Sequence, residues 1–364
     1  MRIAVVYGGD KNAEGAVINR TGNARSWKSY KAVAQDIASA LHRLGARHVQ
    51  LMPDDMLLGE RLRRENIDLV WPNTGGVQGF SPMSHAAAMM EMFGIPYVGH
   101  DPLTSGMLDN KHVFKRELAA LGLPTAPFMT WHASRGPLAP ERNGSFQRIF
   151  AGYSGPFVVK PVSGRASLHV HVVDDASQLD PIITEICDKT ENQVLIETFL
   201  GGAEYCVAVC GPVIARAGEL ERLDDPFVFA TVERVLSSDE RIFTSMDHRP
   251  ITEDRIRVMT EASDAEVVGK LTKLAREVFV EMSLESLIRL DLRADEAGRI
   301  FVLEANPKPD LKAPGADVTS LIGSALGHCG MSYDDLILSL LADRIDLLFC
   351  RRRGMANQLS ALLA

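Results

Sequence analysis

The sequence predicts an α/β protein in which an N-terminal lobe with a parallel sheet is followed by two further lobes. Over the first hundred residues, short apolar runs typical of buried strands alternate with helical patterns, beginning with strand Ile3–Tyr7 and helix Ser29–Leu44. Strands joined through helices run parallel, because a parallel neighbour needs a crossover connection. Changes in composition and in the apolar pattern along the chain place the three lobes at residues 1–105, 106–200 and 201–364.

The remaining elements follow from apolar periodicity and from the Gly and Pro residues that interrupt it. The other predicted strands are His48–Met52, Ile67–Trp71, Ile95–Val98, Phe157–Lys160, His169–Val173, Val194–Thr198, Glu204–Cys210, Ser286–Leu292 and Ile300–Glu304. The other predicted helices are Ser84–Phe93, Lys111–Leu121, Pro181–Cys187, Asp264–Met282 and an interrupted one over Tyr333–Ala364. Residues 135–145 predict a surface loop, and residues 216–253 predict a polar, strand-poor stretch.

Composition and charge exclude several classes of protein. The 364 residues include 39 Lys and Arg against 47 Asp and Glu, and the net charge of −8 argues against a chain that wraps nucleic acid. An apolar run of about 18 residues, which a membrane helix needs, does not occur, and the first apolar stretch is too short for a signal peptide. Five scattered cysteines without a CxxC pair predict neither a disulfide framework nor a zinc ribbon. We therefore expect a cytoplasmic protein.

Two successive strands, RLDLR and FVLEAN, carry charges in a pattern that predicts a metal site. Alternation along the first strand puts Asp291 on one face together with Arg289 and Arg293. A hairpin between the two strands would place Glu304 opposite Asp291. Oxygen ligands of this kind suit Mg²⁺, which binds one or two carboxylates and completes its shell with nucleotide phosphates.

The second of these strands adds a further possible ligand. Asn306 offers an amide oxygen just beyond the strand. Strict alternation also predicts that Val302 shares the face of the strand's acid, with Phe301, Leu303 and Ala305 on the opposite face. Taken alone, a surface hairpin of alternating charge explains the whole pattern equally well.

A lysine at the end of an apolar strand predicts a phosphate-binding loop. In GPFVVKPVSGRASLHV (155–170), Lys160 is followed by a loop of Gly, Ser and Arg and then by a return strand. The lysine supplies a point charge, and the N–H groups and hydroxyls of such a loop bind phosphate oxygens. The alternative, a lysine that caps a hairpin, is common.

The segment QVLIETFLGGAEYCV (193–207) joins two of the lobes through an acid, a leucine, two glycines and a second acid. A hinge of this composition offers Glu197, a backbone N–H group and Glu204 to an adenosine. An ordinary linker between lobes is the simpler explanation when the segment is taken alone.

Taken together and in order, these motifs resemble the ATP-grasp superfamily, and most closely its D-alanine–D-alanine ligase branch. The resemblance covers residues 92–312, and FGIPYVGHDPLTSGMLDNKHVFKRELAALGLPTAPF (93–128) is similar to the start of the branch's central domain. It implies an ATP-grasp fold whose second and third lobes clasp ATP. The matched nucleotide-contacting residues are Lys111, Lys160, Ser167, Glu197 (adenine side), Leu200 (backbone to adenine) and Glu204 (ribose), and the matched metal ligands are Asp291, Glu304 and Asn306.

The resemblance also implies a two-step ligase reaction. Arg289 matches the arginine that steadies the tetrahedral intermediate, and with Lys160 and Ser167 it completes the predicted catalytic residues. ATP would phosphorylate a substrate carboxylate, and an amine would attack the acylphosphate to give a dipeptide or similar amide, with release of ADP and phosphate. The cofactors implied are ATP and two Mg²⁺ ions, with Mn²⁺ as a substitute. Amino-acid-like substrates and a homodimer are expected, and neither a nucleic acid nor a membrane is an expected partner.

The sequence departs from the branch's pattern in the stretches that bind its amino acids. RSWKSY (25–30) and WPNTGGVQGFSP (71–82) replace the usual first-lobe pattern, and Glu14 is the candidate for the acid that holds an ammonium group. Ala166 stands where the phosphate loop normally has the first of two serines. Residues 227–250 lack the usual Tyr-rich lid. The departures predict that D-alanine is not the preferred substrate.

A further departure follows the metal-ligand asparagine. Asp310-Leu311 replaces a Gly-Met turn that normally receives the second substrate's carboxylate. A negative charge facing the cleft there would repel a carboxylate and favour a cationic or carboxylate-free amine. Two alternatives stay open: a D-alanine–D-alanine ligase with a divergent substrate site, and an ATP-binding regulatory protein without ligase activity. The complete set of metal ligands counts against the second.

Overall fold

The computed structural model of the chain describes residues 1–22, 27–243, 251–315 and 320–352, together with Gly354. Parts of three stretches discussed above lie outside these residues: Arg25 and Ser26 of the RSWKSY segment, 244–250 of the stretch in place of the lid, and 353 and 355–364 of the last predicted helix. Within the described part of the chain, no helix combines the length and the apolar character needed to cross a membrane.

The N-terminal part of the chain forms the parallel sheet that the sequence predicts. Its strands are β1 (Arg2–Tyr7), β2 (His48–Pro53) and β3 (Leu69–Asn73), and its helices are α1 (Lys31–Arg43), α2 (Leu58–Arg64) and α3 (His85–Phe93). The strands lie in the order β2-β1-β3, and both pairs are parallel. The sequence analysis missed α2. The predicted strand Ile95–Val98 is wrong: Tyr97 forms only an isolated bridge to Val70, since Pro96 has no N–H group to extend the ladder.

The middle of the chain forms a four-stranded antiparallel sheet. Its strands are β4 (Phe128–Trp131), β5 (Phe157–Pro161), β6 (His171–Val173) and β7 (Val194–Thr198), and its helices are α4 (Pro102–Asp109), α5 (Lys111–Ala120), α6 (Gly144–Ile149) and α7 (Leu179–Thr190). The strand order is β4-β7-β5-β6. The predicted strand from His169 begins two residues late, because His169 has φ of 58° and cannot continue a strand. The sequence analysis missed β4, α4 and α6.

The last part of the chain forms a six-stranded antiparallel sheet and a two-stranded one. The elements are β8 (Glu204–Cys210), β9 (Val213–Arg216), β10 (Glu219–Arg222), β11 (Phe227–Val228), β12 (Val232–Arg234), β13 (Ile256–Val258), α8 (Glu261–Glu281), β14 (Ile288–Ala294), β15 (Ile300–Asn306) and α9 (Tyr333–Arg351). The larger sheet has the order β13-β12-β8-β14-β15, with β11 also paired to β8. Residues 216–253, predicted to be strand-poor, contain three short strands, β10, β11 and β12, which the sequence analysis missed.

The larger sheet packs on both of its faces. On one face, Tyr205, Val207 and Val209 of β8 belong to the apolar core that includes α8. On the other face, Ala208 and Cys210 belong to the core that includes α1 and α9. The sheet is therefore covered on both faces by apolar cores. Polar side chains can meet a ligand only where a face of the sheet extends beyond its core.

Candidate active site

Charged side chains gather on one face of the larger sheet because its register puts them opposite one another. In the β14–β15 pair, Asp291 lies opposite Glu304 and Arg289 lies opposite Asn306. In the β14–β8 pair, Asp291 lies opposite Cys206. The predicted facing of the two carboxylates across a hairpin is confirmed.

The side chains of β15 do not alternate strictly between the two faces of the sheet, because β15 has one residue more than β14 at one point of their pairing. The β14–β15 register shifts by one residue, so that Leu292 pairs with Val302. Val302 and Ala305 are both buried in the core beneath α8, whereas Leu303 and Glu304 both line a cleft. The predicted division of this strand between its two faces is therefore wrong. A β-bulge re-aims the side chains on one side of it.

Two adjoining clefts contain all ten residues predicted from the resemblance. The first has a volume of about 780 Å³, part of it open to solvent, and is lined by Lys111, Lys160, Ser167, Glu197, Leu200, Glu204, Asp291 and Glu304. The second has a volume of about 810 Å³, also partly open to solvent, and adds Arg289 and Asn306. Residues Lys111, Ser167, Asp291 and Glu304 line both clefts, so the two spaces meet at these side chains.

Glu197 lies between two lysines at the bottom of the first cleft. Its carboxylate oxygens are 2.5 Å from Lys160 Nζ and 2.9 Å from Lys115 Nζ. Burial alone would raise the pKa of Glu197, but the two lysines outweigh it and lower that pKa to about 2. The sequence analysis missed Lys115. Its spacing was available as a signal, since a residue four positions after Lys111 lies on the same face of α5.

Asp291 is surrounded by two guanidinium groups. Arg289 Nε donates a hydrogen bond to Asp291 at 2.7 Å and Arg234 donates one at 3.0 Å, and Arg234 also donates to Glu204 at 2.6 Å. Burial would raise the pKa of Asp291, but Arg234 and Arg289 hold it well below its usual range. The sequence analysis missed Arg234, because its three-residue strand lies in the stretch predicted to be strand-poor.

Glu304 connects the larger sheet to helix α5. Lys111 Nζ lies 3.2 Å from its carboxylate, and the Lys111 N–H donates to Val162 O at 2.8 Å, just beyond β5. Burial would raise the pKa of Glu304, but Lys111 and Lys160 outweigh it, so that the pKa is lowered. The carboxylate is therefore ionised at neutral pH and available to a cation.

The donor set fits a divalent metal of the magnesium type. Asp291 and Glu304 are both ionised, and Asn306 adds an amide oxygen at the end of the same strand. Among the described residues, no group of three or more His, Cys, Asp or Glu side chains is placed to hold a metal ion by itself. A metal here would thus take two carboxylates and an amide and fill its other positions with water or phosphate, as Mg²⁺ does.

The loop after β5 is held in an unusual conformation. Ala166, Ser167 and His169 all have φ between 53° and 58°, although none is glycine. Left-handed residues of this kind cost energy and cluster where a chain clamps a ligand. Ser167 lines both clefts, and the Leu168 N–H donates to Arg165 O at 3.1 Å. The loop thus presents a hydroxyl where the two clefts meet.

A comparison with models of protein families shows to which family the chain belongs. The family model described as "D-ala D-ala ligase C-terminus" matches residues 118–342, more than half of the chain. The chain belongs to the D-alanine–D-alanine ligase family. A D-alanine–D-alanine ligase of Pseudomonas entomophila is 29% identical over 348 residues, which covers 94% of this chain and 93% of that relative.

Solved structures share the fold of this ligase-family member. D-alanyl-alanine synthetase A from Vibrio cholerae aligns with a TM-score of 0.68 and 19% identity, covering 94% of this chain and 98% of that one. The D-alanine–D-alanine ligase from Bacillus anthracis, solved in complex with ATP, aligns with a TM-score of 0.66 and 18% identity, covering 95% and 98%. As a member of the family, the chain is an ATP-grasp ligase that forms a C–N bond, and the alternative of a regulatory protein without ligase activity is not supported.

Proposed function

We propose that this ligase binds ATP in the first cleft and amino-acid-like substrates in the second, and that it joins a carboxylate to an amine as a dipeptide or similar amide. The observation that carries the proposal is the sharing of Lys111, Ser167, Asp291 and Glu304 by the two clefts. A γ-phosphoryl group in one cleft and a carboxylate in the other would meet at these four side chains.

The reaction has two steps in this proposal. A carboxylate oxygen of the first substrate attacks the γ-phosphorus, the bond to the β-phosphate oxygen breaks, and ADP leaves. An uncharged amine of the second substrate then attacks the acyl carbon. Phosphate leaves with the shared electron pair, and the amine nitrogen gives up a proton. Positioning and charge neutralisation supply most of the rate in reactions of this kind.

The lysines of the first cleft supply positive charge to the phosphates. Lys160 is held at the bottom of the cleft by its 2.5 Å contact with Glu197, which Lys115 holds from the other side. We assign Glu197 the task of fixing these two ammonium groups, because both of its oxygens face them. Leu200 and Glu204, which line the same cleft, are the proposed contacts for adenine and ribose.

Arg289 and Ser167 act at the reacting group in this proposal. Arg289 lines the second cleft, where its guanidinium would stabilise the oxyanion that forms when the amine attacks. Ser167 offers a hydroxyl and a backbone N–H group to the transferring phosphoryl. Asp291, Glu304 and Asn306 would hold Mg²⁺. Bound Mg²⁺ would neutralise phosphate charge at the junction of the clefts.

Other features of the protein are proposed from the resemblance and the composition. The lobes would divide near residues 105 and 200, so that the first cleft lies between the second and third lobes. A homodimer and a location in the cytoplasm complete the proposal. Two Mg²⁺ ions are proposed from the resemblance alone.

The test separates nucleotide binding from ligation. Purified protein is incubated with ATP, Mg²⁺ and pairs of amino acids, while phosphate release and product mass are followed. Glu304→Gln is expected to lower turnover by about 100-fold or more, since it removes a carboxylate that would bind the metal. Calorimetry of Glu304→Gln should show that the affinity for ATP changes far less than turnover does. Glu219→Gln, on the exposed strand β10, is the matched control and should behave like the wild type.

Two results would contradict different parts of the proposal, the metal assignment in one case and the proposed function in the other. Near wild-type amide formation by Glu304→Gln would show that the metal assignment is wrong. Folded wild-type protein that binds no ATP with Mg²⁺ present would overturn the proposed function.

A further inference from the structure

A third cleft lies between the N-terminal sheet and the last part of the chain. One wall comes from the end of β3 and from α3, and the other comes from the residues just before β14, the turn after β15 and α9. The cleft has a volume of about 630 Å³, part of it open to solvent. Of the described residues that line it, none is among the ten assigned above to ATP, metal or catalysis. The third cleft is therefore distinct from the site of the phosphoryl transfer.

The walls of the third cleft are mainly apolar. Trp71, Leu311 and Leu340 line it and belong to the core that includes α1 and α9. Met83 and Ala86 are also buried, at 9% and 4% exposed, yet among the described residues they belong to none of the apolar cores. Because both line the third cleft, they extend its apolar wall beyond the core. An apolar group placed there would remove this surface from water, which is favourable.

The third cleft carries almost no charge. Among the described residues that line it, Lys308 is the one with an acidic or basic side chain besides His100. His100 Nε2 lies 3.3 Å from Leu287 O, and burial lowers the pKa of His100 to about 4, so that its ring is neutral at pH 7. The polar Asn73 donates from Nδ2 to Tyr30 O at 3.2 Å. A neutral, apolar group is therefore the ligand group that suits this space.

The third cleft adjoins the second, in which the substrates are proposed to bind. Lys308 lines both, and Asn73 in the wall of the third cleft donates to the backbone of Tyr30 in the wall of the second. Asp310 lines the second cleft, as the sequence-based argument about repulsion required, and the next residue, Leu311, lines the third. A side chain of a substrate held in the second cleft is thus within reach of the third.

Two stretches that depart from the D-alanine ligase pattern form part of this wall. Trp71, Asn73 and Thr74 belong to WPNTGGVQGFSP, and Leu311 follows Asp310 in place of the Gly-Met turn. A substrate whose side chain is a single methyl group would leave the third cleft to water. Apolar surface that stays in contact with water forfeits the free energy that covering it would give.

We propose that the third cleft receives the side chain of one of the two substrates, and that this side chain is large, neutral and apolar, like that of leucine or phenylalanine. The inference rests on the proposed function, whose substrate class it specifies. It also gives the expected discrimination against D-alanine a physical cause, namely the apolar surface that a methyl group leaves uncovered.

The test measures phosphate release with Mg·ATP and a series of neutral amino acids of either hand: alanine, 2-aminobutyrate, norvaline, norleucine, leucine and phenylalanine. Each methylene removed from water is worth about fourfold in affinity, so norleucine should exceed alanine in kcat/KM by roughly tenfold or more. Lysine, which is norleucine with a terminal ammonium group, should fall below norleucine. Product mass shows which of the two substrate positions takes the large side chain.

Variants connect this preference with the third cleft. Ala86→Leu fills part of it and should lower kcat/KM for norleucine and phenylalanine to about that for alanine, with the affinity for ATP kept. Ala88→Leu is the matched control, because Ala88 lies half-buried on the same helix and lines none of the three clefts. Met83→Ala removes part of the apolar wall and should weaken the preference through KM; it decides the matter if Ala86→Leu does not fold. A preference that these changes leave intact would overturn the inference.

Calorimetry separates this inference from the proposed function. Norleucine and alanine, titrated into protein saturated with Mg·AMP-PNP, report the preference without turnover, and equal affinities would overturn the inference. If alanine or lysine is ligated as well as norleucine, the inference is wrong and the ligase function stands. If the nucleotide binds and no amino acid is ligated, the proposed ligase substrates are wrong, and the calorimetric comparison alone decides the inference.

Discussion

Replacing Glu197 by Gln tests the buried ion pairs at the bottom of the first cleft. The Lys115 side chain is 0% exposed and that of Glu197 is 2% exposed, so the substitution leaves a buried ammonium without its carboxylate. Breaking a buried pair from one side costs about 3–5 kcal/mol. The pKa of Glu197 gives a similar figure: a carboxyl whose pKa falls from 4.5 to about 2 on folding stabilises the fold at neutral pH by roughly 3 kcal/mol.

The same substitution should change how stability depends on pH. Because the pKa of Glu197 is lower in the folded protein than in the unfolded chain, its contribution is complete above pH 4.5 and is lost as the pH falls toward 2. In Glu197→Gln this part of the acid dependence should disappear, so that the variant and the wild type converge in stability at low pH.

Urea unfolding at pH 7 and at a series of lower pH values measures both effects. Glu185→Gln is the control, since Glu185 forms an exposed ion pair with Lys189 and should leave the midpoint unchanged. The double variant Glu197→Gln/Lys115→Met should recover part of the loss, because one buried ammonium, that of Lys160, is then left without its carboxylate instead of two. A Glu197→Gln protein as stable as the wild type, or a double variant no more stable than the single one, would refute the argument.

Two further perturbations probe the site and its support. Arg234→Met removes the guanidinium that donates to Asp291 at 3.0 Å, so thermal unfolding without Mg²⁺ should occur at a lower temperature. Nucleotide binding should need less Mg²⁺, because the metal no longer competes with Arg234 for Asp291. A higher Mg²⁺ requirement in the variant would contradict this. Gly8→Ala forces a Cβ to within 2.2 Å of Lys28 O and should lower the unfolding free energy by roughly 1–3 kcal/mol. Gly269→Ala, in an open helical position, should instead raise it by roughly 0.5–1 kcal/mol, and equal effects of the two changes would count against the steric reason.

The sequence predicts those features of the site that depend on local pattern. The facing of Asp291 and Glu304 was predicted from alternation in two long strands joined by a short turn, and the structure has this pair, although the register reaches it only through the bulge. The parallel sheet follows in the same way from alternating strands and helices. The assignment of particular residues to nucleotide and metal came from the resemblance to a family, and their gathering in two adjoining clefts agrees with it.

The contacts that the sequence does not predict join residues that are far apart along the chain. Arg234 lies in a strand of three residues, too short for a period of two to stand out, and its partner Glu204 is 30 residues away. Lys308 meets Tyr30 across most of the chain's length, in a turn and a loop that have no pattern of their own. Side chains that gain their neighbours only when separate parts of the chain pack together leave no local signal.

The bulge in β15 lets one strand serve two purposes within four residues. Val302 and Ala305 fill the core, while Leu303 and Glu304 between them face the cleft. Without Leu303 the strand would alternate strictly, with Val302 and Ala305 still in the core and Glu304 still opposite Asp291. The inserted residue therefore changes only the lining of the first cleft, where it sets an apolar side chain directly beside the acid.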